Sequence, residues 1–345
     1  MTPANNRESE REDWWRPRAI GVANYIKQQF SDSDIILLQE WWFDDEFSAI
    51  FDTTLGDNFE RIAERRPGPG PNGDKDGDDC PPRDDGMCCL IRRTGRLELV
   101  KSTSVLTGPQ RIAQIVHCRE RIKTTTNEAT TTTTTTPRDV FLANSHLSYP
   151  GHPDPIVNDK RQESEVSIIL SALCQAGIQW SANPNNDRLE AICGDFNSDS
   201  TGLASLLVES RGYANCASAY AEQNLHSGVG GMMNVGITHK DHLGRSVSVD
   251  HIFVRSARDE GVAGPENSRR KDGSSFYALA LGFLDTRGTR ILNVERGNIH
   301  LEGKAVLSDH RPVTAKIVWP PPPSSKMITA KVSNNFTSWE DMFAE

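Results

Sequence analysis

No apolar run in the 345-residue chain approaches the roughly 20 residues of a membrane-spanning helix. Met1 leads into a polar, charged stretch without the apolar core of a secretory signal, so export is not expected. The seven cysteines are odd in number and lack the paired Cys-x-x-Cys spacing of a zinc site. They read as reduced, mostly buried thiols, which points to a reducing compartment, the cytoplasm. Positive charge is in deficit: 38 Lys and Arg against 47 Asp and Glu leave a net charge of −9. A protein that coats nucleic acid through its phosphates needs the opposite balance. Tyrosine is scarce, at five, and no aromatic-basic track for single-stranded nucleic acid stands out. None of this excludes a small anionic substrate held through a metal.

At 36% hydrophobic the chain lies on the polar side of globular. Two segments read as disordered insertions: residues 65–84, rich in Pro, Gly and Asp, and residues 124–137, which carry a threonine tract. A tail over 320–345 opens with four prolines. Asn72-Gly-Asp74-Lys-Asp76-Gly77 has the opening spacing of a calcium-binding EF-hand loop. Its twelfth position is Arg83 where a bidentate Glu belongs, so it is read as a solvated acidic loop.

What is present is an alternation of helices and short apolar strands. Trp15, Ala19, Val22, Ala23, Ile26 and Phe30 fall at helical spacing, as do Val166, Ile169, Leu170 and Leu173; a further helix is expected around Leu203–Leu207. Strands are expected at Ile35–Leu38, Val140–Ala143, Leu189–Cys193, Val247–Val254 and Val313–Val318, which makes the later part of the chain the more strand-rich. The pattern favours a layered α/β or α+β domain.

The informative feature is what terminates each strand. Ile35–Leu38 runs into Gln39-Glu40, Val140–Ala143 into Asn144-Ser145-His146, and Ala191–Cys193 into Gly194-Asp195-Phe196-Asn197. Asp250-His251 follows Val249, and Ser308-Asp309-His310 precedes the last strand. Apolar strands that each deliver a carboxylate or imidazole at one end are how a sheet builds a site along its edge. The set Glu40, His146, Asp195, Asn197, Asp250, Asp309 and His310 offers hard oxygen ligands for Mg²⁺, or Mn²⁺, which keeps waters and meets phosphate. It also offers imidazoles and an amide suited to proton transfer and charge stabilisation on a phosphoryl group. His239 and His242 lack a third nearby ligand for a separate metal. His251, next to Asp250 on a strand, should face the other way and serve structure.

These motifs, in this order and at this wide spacing from Trp15 to Val318, resemble the endonuclease/exonuclease/phosphatase superfamily of DNase I-like phosphoesterases. The resemblance implies a four-layer α/β sandwich, two packed, mostly antiparallel sheets flanked by helices, formed by residues 7–319. It implies a Mg²⁺-dependent hydrolase of phosphoester bonds, of phosphodiesterase, nuclease or phosphatase type. Glu40 and Asp309 would bind the metal, Asp195 would orient or deprotonate the attacking water, and Asn197 would hold the phosphate. His310, paired with Asp250, would contact phosphoryl oxygens, and His146 would donate to the leaving or a non-bridging oxygen. The partner would be a phosphate ester: a nucleotide, nucleic acid, phosphoinositide or phospholipid head group. Asp85-Gly86 and Thr238-His239-Lys-Asp-His242-Leu-Gly244 are similar to a plant- and alga-type group, some members of which carry a separate EF-hand.

One part of the pattern is missing. The family opens with a core strand ending in an Asn at the metal site, and here only Met1–Asn6 precedes the region that matches the run-up to the first helix; Asn5 or Asn6 fits the missing ligand by rough spacing, but no strand leads into them. Pro3 and the charges after it oppose a central strand, so the first strand is expected to be absent. An impaired family member that binds a phosphate-bearing ligand without turnover is the alternative.

Overall fold

The computed structural model describes residues 12–67, 85–121, 137–181, 188–218, 239–240, 246–257, 277–279, 313 and 315–318. The first helix, α1 (Glu12–Gln29), buries Trp15, Ala19, Ala23 and Ile26, residues three or four apart and therefore on one face. After β1 (Ile35–Trp42) comes α2 (Asp45–Leu55), capped by Asp44, whose carboxylate accepts from the Phe47 amide at 2.9 Å. With β2 (Phe59–Arg65) and β3 (Asp85–Arg92), β1 forms an antiparallel sheet in the order β1-β3-β2. The helices α1 and α2 cover its outer face, where Phe51 and Leu55 pack with Trp41, Phe59 and Leu90.

The second sheet has six strands. They are β4 (Leu97–Gly108), β5 (Arg111–Glu120), β6 (Asp139–His146), β7 (Arg188–Asp195), β8 (Ala214–Asn215) and, across a gap in sequence, β11 (Asp250–Ala257). Their order is β4-β5-β6-β7-β11-β8, and every pairing is antiparallel except β6 with β7. That parallel pair requires a crossover. It is made by α3 (Pro155–Trp180), which starts with Asp154 as cap and Pro155 in the first turn. Two short ribbons, β9 (His239–Lys240) with β10 (Ser246–Val247) and β12 (Tyr277–Leu279) with β13 (Lys316–Val318), complete the described strands.

Period-2 alternation sorts β6 and β7 between two cores. Phe141 and Ala143 of β6, with Ile192 of β7 and Phe253 of β11, pack against Val166, Ile169 and Leu173 of α3 and Val208 of α4 (Leu203–Ser210). The intervening Val140, Leu142, Leu189, Ala191 and Cys193 face the first sheet and meet Cys89 and Ile91 of β3. The result is four layers, two sheets packed face to face with helices outside, as expected.

Several details depart from the sequence reading. Four strands, β2 to β5, lie between residues 59 and 120 among the described residues, in a stretch where the sequence reading expected none. The expected strand Val247–Val254 is two elements, β10 and β11, and the last described strand covers Lys316–Val318. The insertion assigned from residue 65 starts too early: Arg65 belongs to β2, and Arg66 is 1% exposed. Of the six described cysteines five are buried, but Cys174 is exposed. Among the described residues no helix is long and apolar enough to cross a membrane. The Met1–Asn6 segment, the EF-hand-like loop, the threonine tract and the 320–345 tail lie outside the described residues.

Candidate active site between the sheet edges

Register alone aligns three of the expected residues. In the parallel pair His146 stands opposite Asp195, and in the neighbouring antiparallel pair Asp250 stands opposite Asp195. Directly opposed residues share a face, and two-residue steps from Leu142, Cys193 and Val254 put all three on the face turned towards the first sheet. His146 and Asp195 are nearly buried, with His146 Nε2 3.6 Å from Asp195 Oδ2.

Glu40 reaches this row from the other sheet, by way of an irregularity. Gln39 pairs with Met87 and Trp41 with Gly86, which leaves Glu40 as an extra residue at φ 57°. Strict alternation would turn Trp41 towards the sheet interface. The bulge instead keeps Trp41 in the α1–α2 core and places Glu40 Oε1 3.9 Å from His146 Nδ1. Left-handed backbone at a non-glycine residue costs about 1–3 kcal/mol and persists where surrounding structure imposes it. The Glu40 side chain is 70% exposed, open to a ligand from solvent.

The loops beyond β6 and β7 are held by short-range geometry. Gly194 sits at φ 136°, and a Cβ there would lie 1.9 Å from the Ser145 carbonyl oxygen across the strand pair. The backbone can turn this close to β6 only without a side chain. Asp195 Oδ1 accepts from the Asn197 amide at 2.7 Å, and Asn197, at φ 50°, donates its side-chain amide to Leu147 O at 2.9 Å. Beneath the site the Asn144 amide donates to Leu38 O and Cys88 O, both at 3.1 Å, and accepts from Gln39 Nε2 at 2.6 Å. Asn144 therefore bolts the two sheets together one turn of the pleat below His146.

Asp309 and His310 lie outside the described residues, as do Ser308, Arg311 and His242, and nothing is described of the His239 side chain. His251 is structural, as expected. It is 3% exposed, with Nε2 2.9 Å from Ser198 O and Nδ1 3.4 Å from Asn215 Nδ2. Burial holds its pKa below the ordinary 6.5, outweighing the Ser198 hydrogen bond and the charges of Asp250 and Asp199.

Three supporting residues escaped the sequence reading. Arg66 joins Asp85 to His146, with Nη1 2.9 Å from Asp85 Oδ2 and Nη2 2.9 Å from His146 Nδ1. On α3, Gln162 donates to Ser148 O at 2.8 Å, Phe196 O at 3.2 Å and Asn197 O at 3.4 Å, spanning both loops. Glu165, 1% exposed, accepts from the Ser148 amide at 2.8 Å and from its hydroxyl. Burial raises the Glu165 pKa despite those bonds. The only signal for this pair was two polar residues on the apolar stripe of α3, at positions 162 and 165.

Among the described residues no group of three or more His, Cys, Asp and Glu side chains is gathered to hold a metal. The chemistry of the exposed Glu40 carboxylate is nevertheless of the kind that could hold a hard cation, since Mg²⁺ is commonly held by one or two carboxylates and keeps several waters.

No family model and no curated protein matches the sequence. Solved structures do. The mannosyl-6-phosphatase of Bacteroides thetaiotaomicron VPI-5482 is 17% identical at a TM-score of 0.55, covering 92% of this chain and 96% of that one. An endonuclease/exonuclease/phosphatase from Bacteroides vulgatus is 14% identical at 0.54, covering 91% and 95%. A family protein of the same description from Bacteroides thetaiotaomicron is 18% identical at 0.54, covering 91% and 93%. At such identities the likeness speaks for architecture: this chain has the two-sheet, helix-flanked DNase I-like fold of endonuclease/exonuclease/phosphatase structures.

Proposed function

We propose that the protein is a divalent-metal-dependent hydrolase of phosphoester bonds, acting at the edge where the two sheets meet. The observation that carries this reading is the convergence of Glu40, from one sheet, with His146 and Asp195, from the other, at 3.9 and 3.6 Å. The fold likeness supports it, since one of the similar structures is a sugar-phosphate phosphatase by name. The motif resemblance supports it independently, and Asp85-Gly86 adds support for a place near the plant- and alga-type group.

In this reading Glu40, with Asp309, would hold Mg²⁺ or Mn²⁺. Bound there, the cation would neutralise phosphate charge and favour a nucleophilic water. Asp195 orients that water and takes its proton. The Asn197 amide pins one carboxylate oxygen and leaves Oδ2 towards His146. The side-chain amide of Asn197 carries two N–H groups; one goes to Leu147 O and the other serves a phosphoryl oxygen. His146 donates to the leaving or a non-bridging oxygen, and Asp250 orients His310 for the same charge. The net charge of −9 then disfavours bare polyphosphate surfaces but not a phosphate ester met through a cation.

The test is a Mg²⁺-dependent hydrolysis panel covering DNA, oligo(A), inositol phosphates, sugar phosphates and sphingomyelin, with Asp195→Ala as control. Turnover of at least one class by the parent, and its loss in the variant, is expected. Equal turnover by parent and variant on every substrate would remove Asp195 from the chemistry. No turnover by the parent on any of them would favour the binding-only alternative.

A further inference from the structure

We infer that Arg66 is a positioning residue that fixes the tautomer of His146, so that the imidazole presents an N–H, not a lone pair, to the reaction site. A guanidinium has five N–H donors, no acceptor, and does not lose its proton in proteins. Arg66 Nη2 lies 2.9 Å from His146 Nδ1, so Nδ1 must be the acceptor. A neutral imidazole with its lone pair on Nδ1 carries its hydrogen on Nε2, the nitrogen that faces Asp195 Oδ2 at 3.6 Å. A hydrogen on Nδ1 would instead be driven against the Arg66 N–H.

The arrangement that holds Arg66 is itself rigid. Its side chain is 1% exposed, its Nη1 is 2.9 Å from Asp85 Oδ2, and its backbone amide donates to Asp85 O at 3.0 Å. The carboxylate offsets the charge of a guanidinium withdrawn from water, and the contacts of Nη1 with Asp85 and of Nη2 with His146 orient its plane. His146 cannot rotate its ring without breaking the contact at Nδ1, and its backbone is tied on both sides. Leu147 N–H donates to Asp195 O at 2.8 Å, and the Arg111 guanidinium reaches His146 O at 3.4 Å.

The consequence deepens the hydrolase reading and rests on it: with Nε2 protonated, His146 is a hydrogen-bond donor to a phosphoryl oxygen, and accepting the proton of the attacking water falls to Asp195. No proton needs to pass through Nδ1. Arg66 touches no substrate atom; it acts through the ring it orients.

The test reads the tautomer directly. Long-range ¹H–¹⁵N spectra of the full chain, labelled at its nine histidines, distinguish Nε2–H from Nδ1–H rings when recorded at about pH 8, above the ordinary histidine range. His146→Gln identifies the His146 signals. The expected result is an Nε2–H pattern for His146 in the unsubstituted protein. Arg66→Met, which keeps an unbranched stem but removes the donors, should give a mixture of tautomers, and Arg66→Lys, which keeps a donor, should restore most of the original pattern. On whichever phosphoester the protein turns over, Arg66→Met should lower kcat about 10- to 100-fold with a smaller change in KM, and Arg66→Lys should fall between. Unmoved signals from the other histidines show that the fold is intact. An Nδ1–H pattern for His146 in the unsubstituted protein would overturn the inference even if Arg66→Met failed to fold. So would an unchanged tautomer in a folded Arg66→Met. If the expected tautomer is found and no phosphoester is hydrolysed, the Arg66 assignment stands and the hydrolase reading falls.

Discussion

Replacing Gln162 by a glutamate should convert the clamp between the two active-site loops into a pH-dependent defect. The Gln162 side chain is 3% exposed and its amide nitrogen lies within 2.8, 3.2 and 3.4 Å of the carbonyls of Ser148, Phe196 and Asn197. An ionised carboxylate there is acceptor-only and would face three acceptors. Glu165, one turn along the same helix face, already has its pKa raised by burial, and adds to the pressure against charge. The introduced carboxyl would therefore stay protonated in the folded state, its pKa well above the unfolded value of about 4.3. The sign follows: a group with a raised folded pKa holds its proton in the fold after the unfolded chain has lost it, so stability falls as pH rises between the two values. A folded pKa higher by about two gives a deficit of roughly 2.7 kcal/mol by neutral pH that is absent near pH 4. Gln162→Leu, which forfeits two N–H bonds to buried carbonyls, should cost about 2–5 kcal/mol with no such slope. Urea unfolding followed by tryptophan fluorescence at about pH 4.5 and about pH 8 separates the cases. A Gln162→Glu variant within about 0.5 kcal/mol of the parent at both values would refute the clamp, since that is the scatter of neutral surface changes.

Other outcomes follow from the same geometry. Gly194→Ala should lower Tm by roughly 6 °C or more, because a Cβ meets the Ser145 carbonyl at 1.9 Å and the residue sits at φ 136°; an unchanged Tm in calorimetry would contradict the close β6–β7 approach. His251, held neutral by burial, binds its proton less readily in the fold than in the unfolded chain. Its contribution is present above the unfolded value of about 6.5 and is lost as pH falls from there through the lower folded value, so His251→Gln should flatten the stability slope between pH 7 and 5 in denaturant titrations. Glu190 is fully buried. It accepts from Arg188 and Arg255 at 2.8 Å and from the Tyr213 hydroxyl at 2.7 Å. Burial pushes its pKa up, but those partners outweigh burial and hold it below the ordinary value. Glu190→Gln should cost about 3–5 kcal/mol in urea unfolding by stranding two cations, with a loss under about 1 kcal/mol counting against the network.

The fold class and part of the site were legible because they are written in local pattern. Apolar strands at Val140–Ala143 and Leu189–Cys193 end in polar residues, and such strands placed side by side deliver His146 and Asp195 to one edge. Glu40 was found as a residue type, but its direction depends on a bulge between Gln39 and Trp41 that period-2 reasoning does not supply. Arg66 was hidden by composition: Arg-Arg-Pro-Gly reads as the start of a solvated insertion, and only tertiary structure shows a buried guanidinium against His146. Gln162 and Glu165 looked like interruptions of a helical stripe, and their partners are backbone groups of distant loops. Strands β2 and β4 were missed because they carry charges and hydroxyls on an exposed face, which dilutes an apolar signal. By contrast, β3 and β5 are buried along nearly their whole length, and their apolar runs over 87–91 and 112–116 were a strand signal the sequence reading passed over.

The central claim is that phosphoester hydrolysis occurs at the Glu40–His146–Asp195 edge through a cation that Glu40 helps to hold. It is tested most directly by titrating Mg²⁺ into chelator-treated protein and following the initial rate on the best substrate of the panel, for the parent and for Glu40→Gln. We predict no turnover without metal, recovery on addition of Mg²⁺, and a half-saturating concentration raised about tenfold or more in Glu40→Gln. Full activity after chelation, or identical Mg²⁺ curves for the two proteins, would contradict the account.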